Sequence, residues 1–155
     1  MNKIVRKEHF SANVVMLEIE APLIAKSRKA GHFVIVRVDE DGERMPLTVA
    51  GYDREKGSVR IIFQVVGATT EKLNHKNEGD YICDFVGPLG KPTETDNLKK
   101  VCIVGGGVGC AIALPIAKKL YSMGSEVTSI IGFRNKDLLI LEKEFSKNST
   151  NFYIM

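Results

Sequence analysis

The run Val101-Cys102-Ile103-Val104-Gly105-Gly106-Gly107-Val108-Gly109 is the segment best suited to chemistry. An apolar strand pattern runs into glycines, and a helical pattern follows. Glycines at such a junction let the backbone approach a phosphate, and the helix N-terminus behind them offers N–H groups and a partial positive charge. Counted from Gly105 and Gly107, the third position of the dinucleotide fingerprint is Cys110, so this is a variant of it. The same glycines would also serve tight strand–helix packing. No Gly-Lys-Ser/Thr closes the loop, which excludes a Walker loop. A second phosphate-suited stretch is Val66-Gly67-Ala68-Thr69-Thr70-Glu71-Lys72-Leu73, where Thr69 or Thr70 is expected to cap a short helix. A third is Arg44-Met45-Pro46-Leu47-Thr48, which places a planar donor fork and a hydroxyl at the entry of a strand. Taken singly, a capped helix without ligand and a surface arginine after a turn are the plainer readings of these last two.

Positioning these residues requires two kinds of framework. The first part of the chain reads as short strands: Asn13–Glu20, His32–Val38, Met45–Tyr52, Ser58–Val66 and Tyr81–Val86. Asp39-Glu40-Asp41-Gly42 and Asp53–Gly57 read as turns between them, and residues 69–75 as a short helix. Val59, Ile61, Phe63 and Val65 alternate with Arg60 and Gln64. This spacing predicts a small antiparallel barrel of six strands in Greek-key order. Lys26–Lys29 reads as a solvated turn. The breaker cluster Gly87-Pro88-Leu89-Gly90-Lys91-Pro92 places a linker at about 87–98.

Beyond it the pattern becomes β-α-β-α-β: strand Val101–Val104, helix Gly109–Met123 ended by Gly124, strand Glu126–Phe133, helix Asp137–Lys147 with Asp137 as N-cap, and strand Asn151–Met155. Apolar strands alternating with helices predict a parallel sheet. The expected division is 1–97 for the barrel and 98–155 for a partial parallel-sheet nucleotide domain, half of a doubly wound unit with an open sheet edge. A fragment of a longer chain, or a chain completed by a partner or by a second copy at that edge, is the expectation.

The 155 residues are 44% hydrophobic and 26% charged, which supports a packed core and excludes wholesale disorder. Residues 1–97 hold 14 Lys/Arg against 15 Asp/Glu, which speaks against a nucleic-acid-binding barrel. Residues 98–155 hold 8 against 4, so the positive charge lies in the second part. Val101–Ala117 is uncharged, but its glycines and strand–turn–helix pattern speak against a membrane span. Cys83, Cys102 and Cys110 form no C-x-x-C pair, so neither a disulfide framework nor a metal site is expected. Met1–Arg6 lacks an apolar signal region, and a cytoplasmic location is expected. Cys110 reads as a small buried residue rather than a reactive thiol. His9, His32 and His75 have no partnered nucleophile, and Asn148-Ser149-Thr150 matches a glycosylation sequon without a use for it.

Taken together, Arg44–Thr48, Gly67-Ala68-Thr69-Thr70, Gly87-Pro88-Leu89-Gly90 and Gly105–Gly109 resemble, in that order, the ferredoxin–NADP reductase superfamily, in which a barrel binds FAD and a following α/β domain binds NAD(P). Within it the likeness is to the electron-transfer subunits of dihydroorotate dehydrogenase and of NADH-dependent reduced ferredoxin:NADP oxidoreductases, over essentially the whole chain. The resemblance implies that Met45, Pro46, Leu47 and Thr48 line the flavin, with Thr48 at the reactive edge. It implies that Phe63, Gln64 and Val65 contact the ring or ribityl chain, and that Gly67, Thr69 and Thr70 hold the pyrophosphate. Gly105, Gly106, Gly107, Val108 and Gly109 would face the nicotinamide nucleotide. Arg44 would assist at the phosphates, although it stands one place early for the superfamily's Arg-x-aromatic-Ser/Thr, and Leu47 replaces the aromatic residue. The implied chemistry is electron transfer between NAD(P)H and a partner redox subunit, a large flavin or iron–sulfur subunit, by way of FAD. The cysteine cluster of the relatives is missing from the sequence, so no iron–sulfur centre is expected within it. The alternative is an FAD-binding or partner-docking module with no reductase activity of its own. Glu126, or Arg134 with Lys136, are the residues from which a choice of NAD or NADP would be read, and both remain open.

Overall fold

The computed structural model describes residues 1–155. Its first unit is a curled antiparallel sheet of β1 (Asn2–His9), β2 (Val14–Glu20), β3 (Phe33–Arg37), β4 (Arg44–Asp53), β5 (Ser58–Gln64), β6 (Tyr81–Ile82) and β7 (Asp84–Leu89). The order β6-β1-β2-β5-β4-β3-β7 contains a Greek key, because β3, β4 and β5 form a meander and β2 returns beside β5. The two edge strands, β6 and β7, are separated by Cys83 alone, so the chain itself bridges the sheet's edges.

Period-two alternation sets the core. In β5, Val59, Ile61 and Phe63 are buried while Arg60, Ile62 and Gln64 are half-buried. They join Ile4, Leu17, Ile19, Val34, Val36 and Val49 inside the barrel, where each large apolar side chain contributes about 1.5–3 kcal/mol on burial. Two short helices flank the sheet, α1 (Pro22–Ser27) and α2 (Ala68–Asn74). Ladder pairing jumps from Val49 opposite Ile61 to Gly51 opposite Arg60, a bulge at Ala50.

Seven strands stand where six were expected. Tyr81–Val86 is divided at Cys83, and β1 went unread because Asn2–His9 is mostly polar, with Ile4 its one buried residue. The expected linker also starts later, since Gly87, Pro88 and Leu89 extend β7 against β3. The Gly87–Pro88 peptide is cis. Lys26–Lys29 is not a solvated turn throughout: Arg28 is 6% exposed.

The second unit is β8 (Lys100–Gly106), a single 3-10 turn over Gly107–Gly109, α3 (Cys110–Ser122), β9 (Glu126–Gly132), α4 (Glu142–Lys147) and β10 (Asn151–Ile154). The strands are parallel in the order β10-β9-β8, the 3-2-1 half of a doubly wound sheet. Gly124 (φ +86°) ends α3 as expected, because a left-handed residue is easiest for glycine. The second helix is shorter than read. Asn135, not Asp137, caps a 3-10 turn over Lys136–Leu138, and the α-helix starts only after Leu141, which sits at φ +60°. Both helices cover the face of Val127 and Ile131, and the Phe145 and Phe152 rings stack at 6.5 Å. α3 also packs against β4, so this helix joins the two units.

Candidate functional site

The barrel side of the site is local in sequence, running from β4 through β5 into α2. Thr48 lies in β4 opposite Phe33, and Pro46 opposite Ile35. Alternation places Met45 and Leu47 against the barrel core and leaves Pro46 and Thr48 on the other face. Phe63 is 2% exposed and belongs to the core, so its side chain faces away from any ligand on that outer strip, while Gln64 and Val65 are half-buried. Val66, at 74% exposure, leads into α2.

The cap of α2 differs from the expectation. Gly67 is the N-cap, and Thr70, at the third helical position, reaches back. Its hydroxyl accepts from the Val66 and Gly67 N–H groups at 2.9 and 3.0 Å and donates to the Gly67 carbonyl at 2.9 Å. The Thr70 side chain is therefore fully used in shaping the turn. The first helical bond runs from Glu71 N–H to the Gly67 carbonyl, so the N–H groups of Ala68, Thr69 and Thr70 precede it without an intrahelical acceptor. The Thr69 hydroxyl donates to the Glu43 carboxylate at 3.1 Å, a contact that the sequence did not disclose.

Arg44 opens β4, but its guanidinium pairs with Asp84 at 3.1 Å. Asp84 also accepts from Arg37 at 2.6 Å. The hydrogen bond from Arg37, assisted by the charges of both arginines, holds the Asp84 carboxyl below its usual range.

Across from this strip, the glycine turn of β8 packs near β5. Its glycines divide into two kinds. A Cβ on Gly105 would lie 3.1 Å from the Cys110 sulfur, so Gly105 serves close strand–helix packing. A Cβ on Gly106, Gly107, Gly109 or Gly67 would meet nothing within 4 Å. Those four backbones face open space, as a phosphate approach requires. Gly107 also sits at φ +53°, a conformation that favours glycine. Val108 is half-buried in the same turn. Cys110 is fully buried, and burial pushes its thiol pKa up, which fits the small-apolar reading.

Glu126 begins β9 at the end of the sheet away from the glycines and pairs with Lys100 at 3.6 Å. Arg134 and Lys136 follow the other end of β9, at the same end of the parallel strands as the glycine turn, and both are exposed. His9, His32 and His75 are dispersed; His32 accepts from the Lys29 N–H at 2.9 Å. Sequence reading passed over Arg28, Arg54, Arg60 and Lys118, which with others line a cleft between the two units, about 740 Å³ in volume. No motif marks the three arginines, and residues 1–97 carry no surplus of basic residues, with 14 Lys/Arg against 15 Asp/Glu.

A Greek-key barrel joined by one helix to the first half of a parallel nucleotide-type sheet, with a glycine turn facing the barrel, defines a ferredoxin–NADP reductase-like fold. The structure of NADH-dependent reduced ferredoxin–NADP oxidoreductase superposes with a TM-score of 0.95 at 41% identity, over 99% of this chain and 56% of that one. A Thermotoga maritima protein named dihydroorotate dehydrogenase B (NAD(+)) electron transfer subunit homolog is 46% identical over 149 residues, 96% of this chain and 53% of its own length. An uncharacterized protein encoded in the adh 3′ region of Clostridium beijerinckii is 48% identical over 99% of this chain and 54% of its own length. No family model matches. The chain is similar to these proteins over nearly its whole length, and it spans about half the length of the curated relatives it matches. No helix is long and apolar enough to cross a membrane.

Proposed function

We propose that the chain is a flavoprotein electron-transfer module that passes electrons between NAD(P)H and a redox partner subunit by way of FAD. The observation that carries the reading is a pair of phosphate-suited turns, one in each unit, with the glycine turn of the second packed near β5 of the first. Gly67 with the free N–H groups of Ala68–Thr70 supplies one, and the open backbones of Gly106, Gly107 and Gly109 supply the other. The similarity to electron-transfer subunits supports the same assignment.

In this reading residues 1–97 form the flavin unit and 98–155 the nucleotide unit. Pro46 and Thr48 would line the flavin, and the Thr48 hydroxyl would be the group available to donate or accept a hydrogen bond there. The Thr69 and Thr70 amides hold the pyrophosphate, and the Glu43 carboxylate must swing off the Thr69 hydroxyl to relieve charge repulsion. Arg44 remains on Asp84 and acts at the rim. Arg134 and Lys136, at the nucleotide end of the sheet, are suited to a 2′-phosphate. FAD supplies the switch between hydride and single-electron chemistry. The residues of the chain orient it and keep water from the reactive edge.

The test is to purify the protein, measure bound flavin after denaturation, and titrate NADH or NADPH anaerobically. Bound or reconstituted FAD that bleaches on titration supports the proposal. FAD uptake without bleaching supports the docking-module alternative instead. Colourless protein that refuses added FAD overturns both.

A further inference from the structure

The cleft on the other side of α3 holds a concentration of charge that the flavin reading does not use. It lies between the α1–β3 connection, the β4–β5 hairpin, residues 91–96 and the C-terminal half of α3. Seven Lys/Arg side chains line it, against two carboxylates, Glu94 and Asp96, both on exposed residues. None of the seven takes part in a salt bridge. Surface lysines alone would carry little, but two of the arginines are not surface groups.

Arg28 is 6% exposed, and its Nε and Nη2 are buried with no hydrogen-bond acceptor in the protein. Its guanidinium is held over the Tyr52 ring at 4.4 Å. Arg60 carries a further buried, unpartnered Nε, with Nη2 donating to the Tyr52 carbonyl at 3.3 Å. A buried donor left unpaired is destabilising, more so when charged, so such groups ordinarily have a partner. Lys118 enters from α3, and burial together with the nearby Arg60 charge lowers its pKa. A set of seven cations facing only two exposed carboxylates, and paired with neither, calls for an anion.

We propose that this cleft is a binding site for a small anion bearing two or more linked phosphate groups. The charge count exceeds what one carboxylate or one orthophosphate would neutralise. The cavity, about 740 Å³, falls within the size of small-molecule sites, about 300–1,000 Å³. Its two walls come from the barrel and from the nucleotide unit, so the anion bridges them through Arg28 and Arg60 on one side and Lys118 on the other.

The experiment is calorimetric titration of the FAD-saturated protein at physiological salt with tripolyphosphate, pyrophosphate, orthophosphate, ADP and a short poly-glutamate peptide. Saturable binding of one tripolyphosphate, at least tenfold tighter than orthophosphate and weakened tenfold or more in Lys118→Gln and Arg60→Gln, is the expected result. ADP binding tighter than pyrophosphate assigns the phosphates to a nucleotide, and equal binding assigns them to a free oligophosphate. Arg28→Met is included only if its melting curve matches the parent, since the two other variants decide the matter. No saturable binding, or binding indifferent to both substitutions, overturns the proposal. Poly-glutamate binding tighter than tripolyphosphate overturns it in favour of an acidic protein partner. Flavin content is read separately, so failure of the FAD assignment is distinguishable from failure of this one.

Discussion

A Cβ on Gly105 would come within 3.1 Å of the sulfur of Cys110, so the end of β8 and the start of α3 touch without an intervening side chain. Next to it, Gly106 has open space where a Cβ would go. Substitution therefore separates packing from binding. Gly105→Val is expected to destabilise the protein by about 1–3 kcal/mol through overpacking. Gly106→Val is expected to leave the melting temperature unchanged while weakening NAD(P)H binding at least tenfold. Thermal melts and nucleotide titration of both variants check this. Equal nucleotide affinity in Gly106→Val and the parent would remove the glycine turn from the site.

Thr70 is expected to matter for stability before it matters for ligand. Thr70→Val leaves the Val66 and Gly67 N–H groups without the acceptor they have at 2.9 and 3.0 Å. A loss of about 1–2 kcal/mol in urea unfolding is expected, by analogy with the loss of a helix cap. Thr70→Ser should restore most of it.

Thr48→Val keeps shape and removes the hydroxyl. With FAD at the proposed position, flavin content stays near the parent and the rate of flavin reduction by NAD(P)H falls about 10- to 100-fold, the lower range of what a positioned polar group contributes to proton or hydride chemistry. Rapid-mixing kinetics read this. An unchanged rate would take Thr48 off the reactive edge.

Asp84 predicts a pH dependence. Its folded pKa lies below the unfolded value of about 3.9, so its pairing stabilises the fold above that pH and is lost as pH falls through the folded pKa. Asp84→Asn should melt lower than the parent at pH 7, and the gap should close under strong acid. A gap that persists in acid would assign the effect to packing rather than to the Arg37 and Arg44 charges.

Much of this was readable from residue order. The alternation of Val59, Ile61 and Phe63 against Arg60 and Gln64 revealed β5 because one face is buried and the other is not. The glycine run and Gly124 bounded α3, and the helix continues through Pro115 as read. What escaped notice did so for physical reasons. β1 is held by ladder pairing to β2 and β6, not by an apolar face of its own. The hydroxyls of Thr69 and Thr70 point to a threonine cap for α2, because hydroxyls favour that position, yet Gly67 holds it and Thr70 supplies the bond from behind. Asp137 has the side chain of a cap for the same reason, while Asn135 holds that place. Arg28 was hidden among Lys26, Ser27 and Lys29, because charge in a local run says nothing about which side chain a distant Tyr52 will cover.

The extra residue at Ala50 has one further effect. In an unbroken ladder, Thr48, Ala50 and Tyr52 would share one side of the sheet. The insertion shifts the phase, so that Gly51 follows Thr48 on the outer side, beneath the Arg60 guanidinium, while Tyr52 is rotated opposite the buried Val59, where Arg28 lies over it. A single ribbon of backbone thus serves the outer strip through Thr48 and the basic cleft through Gly51 and Tyr52, and deleting one alanine would put the two out of step.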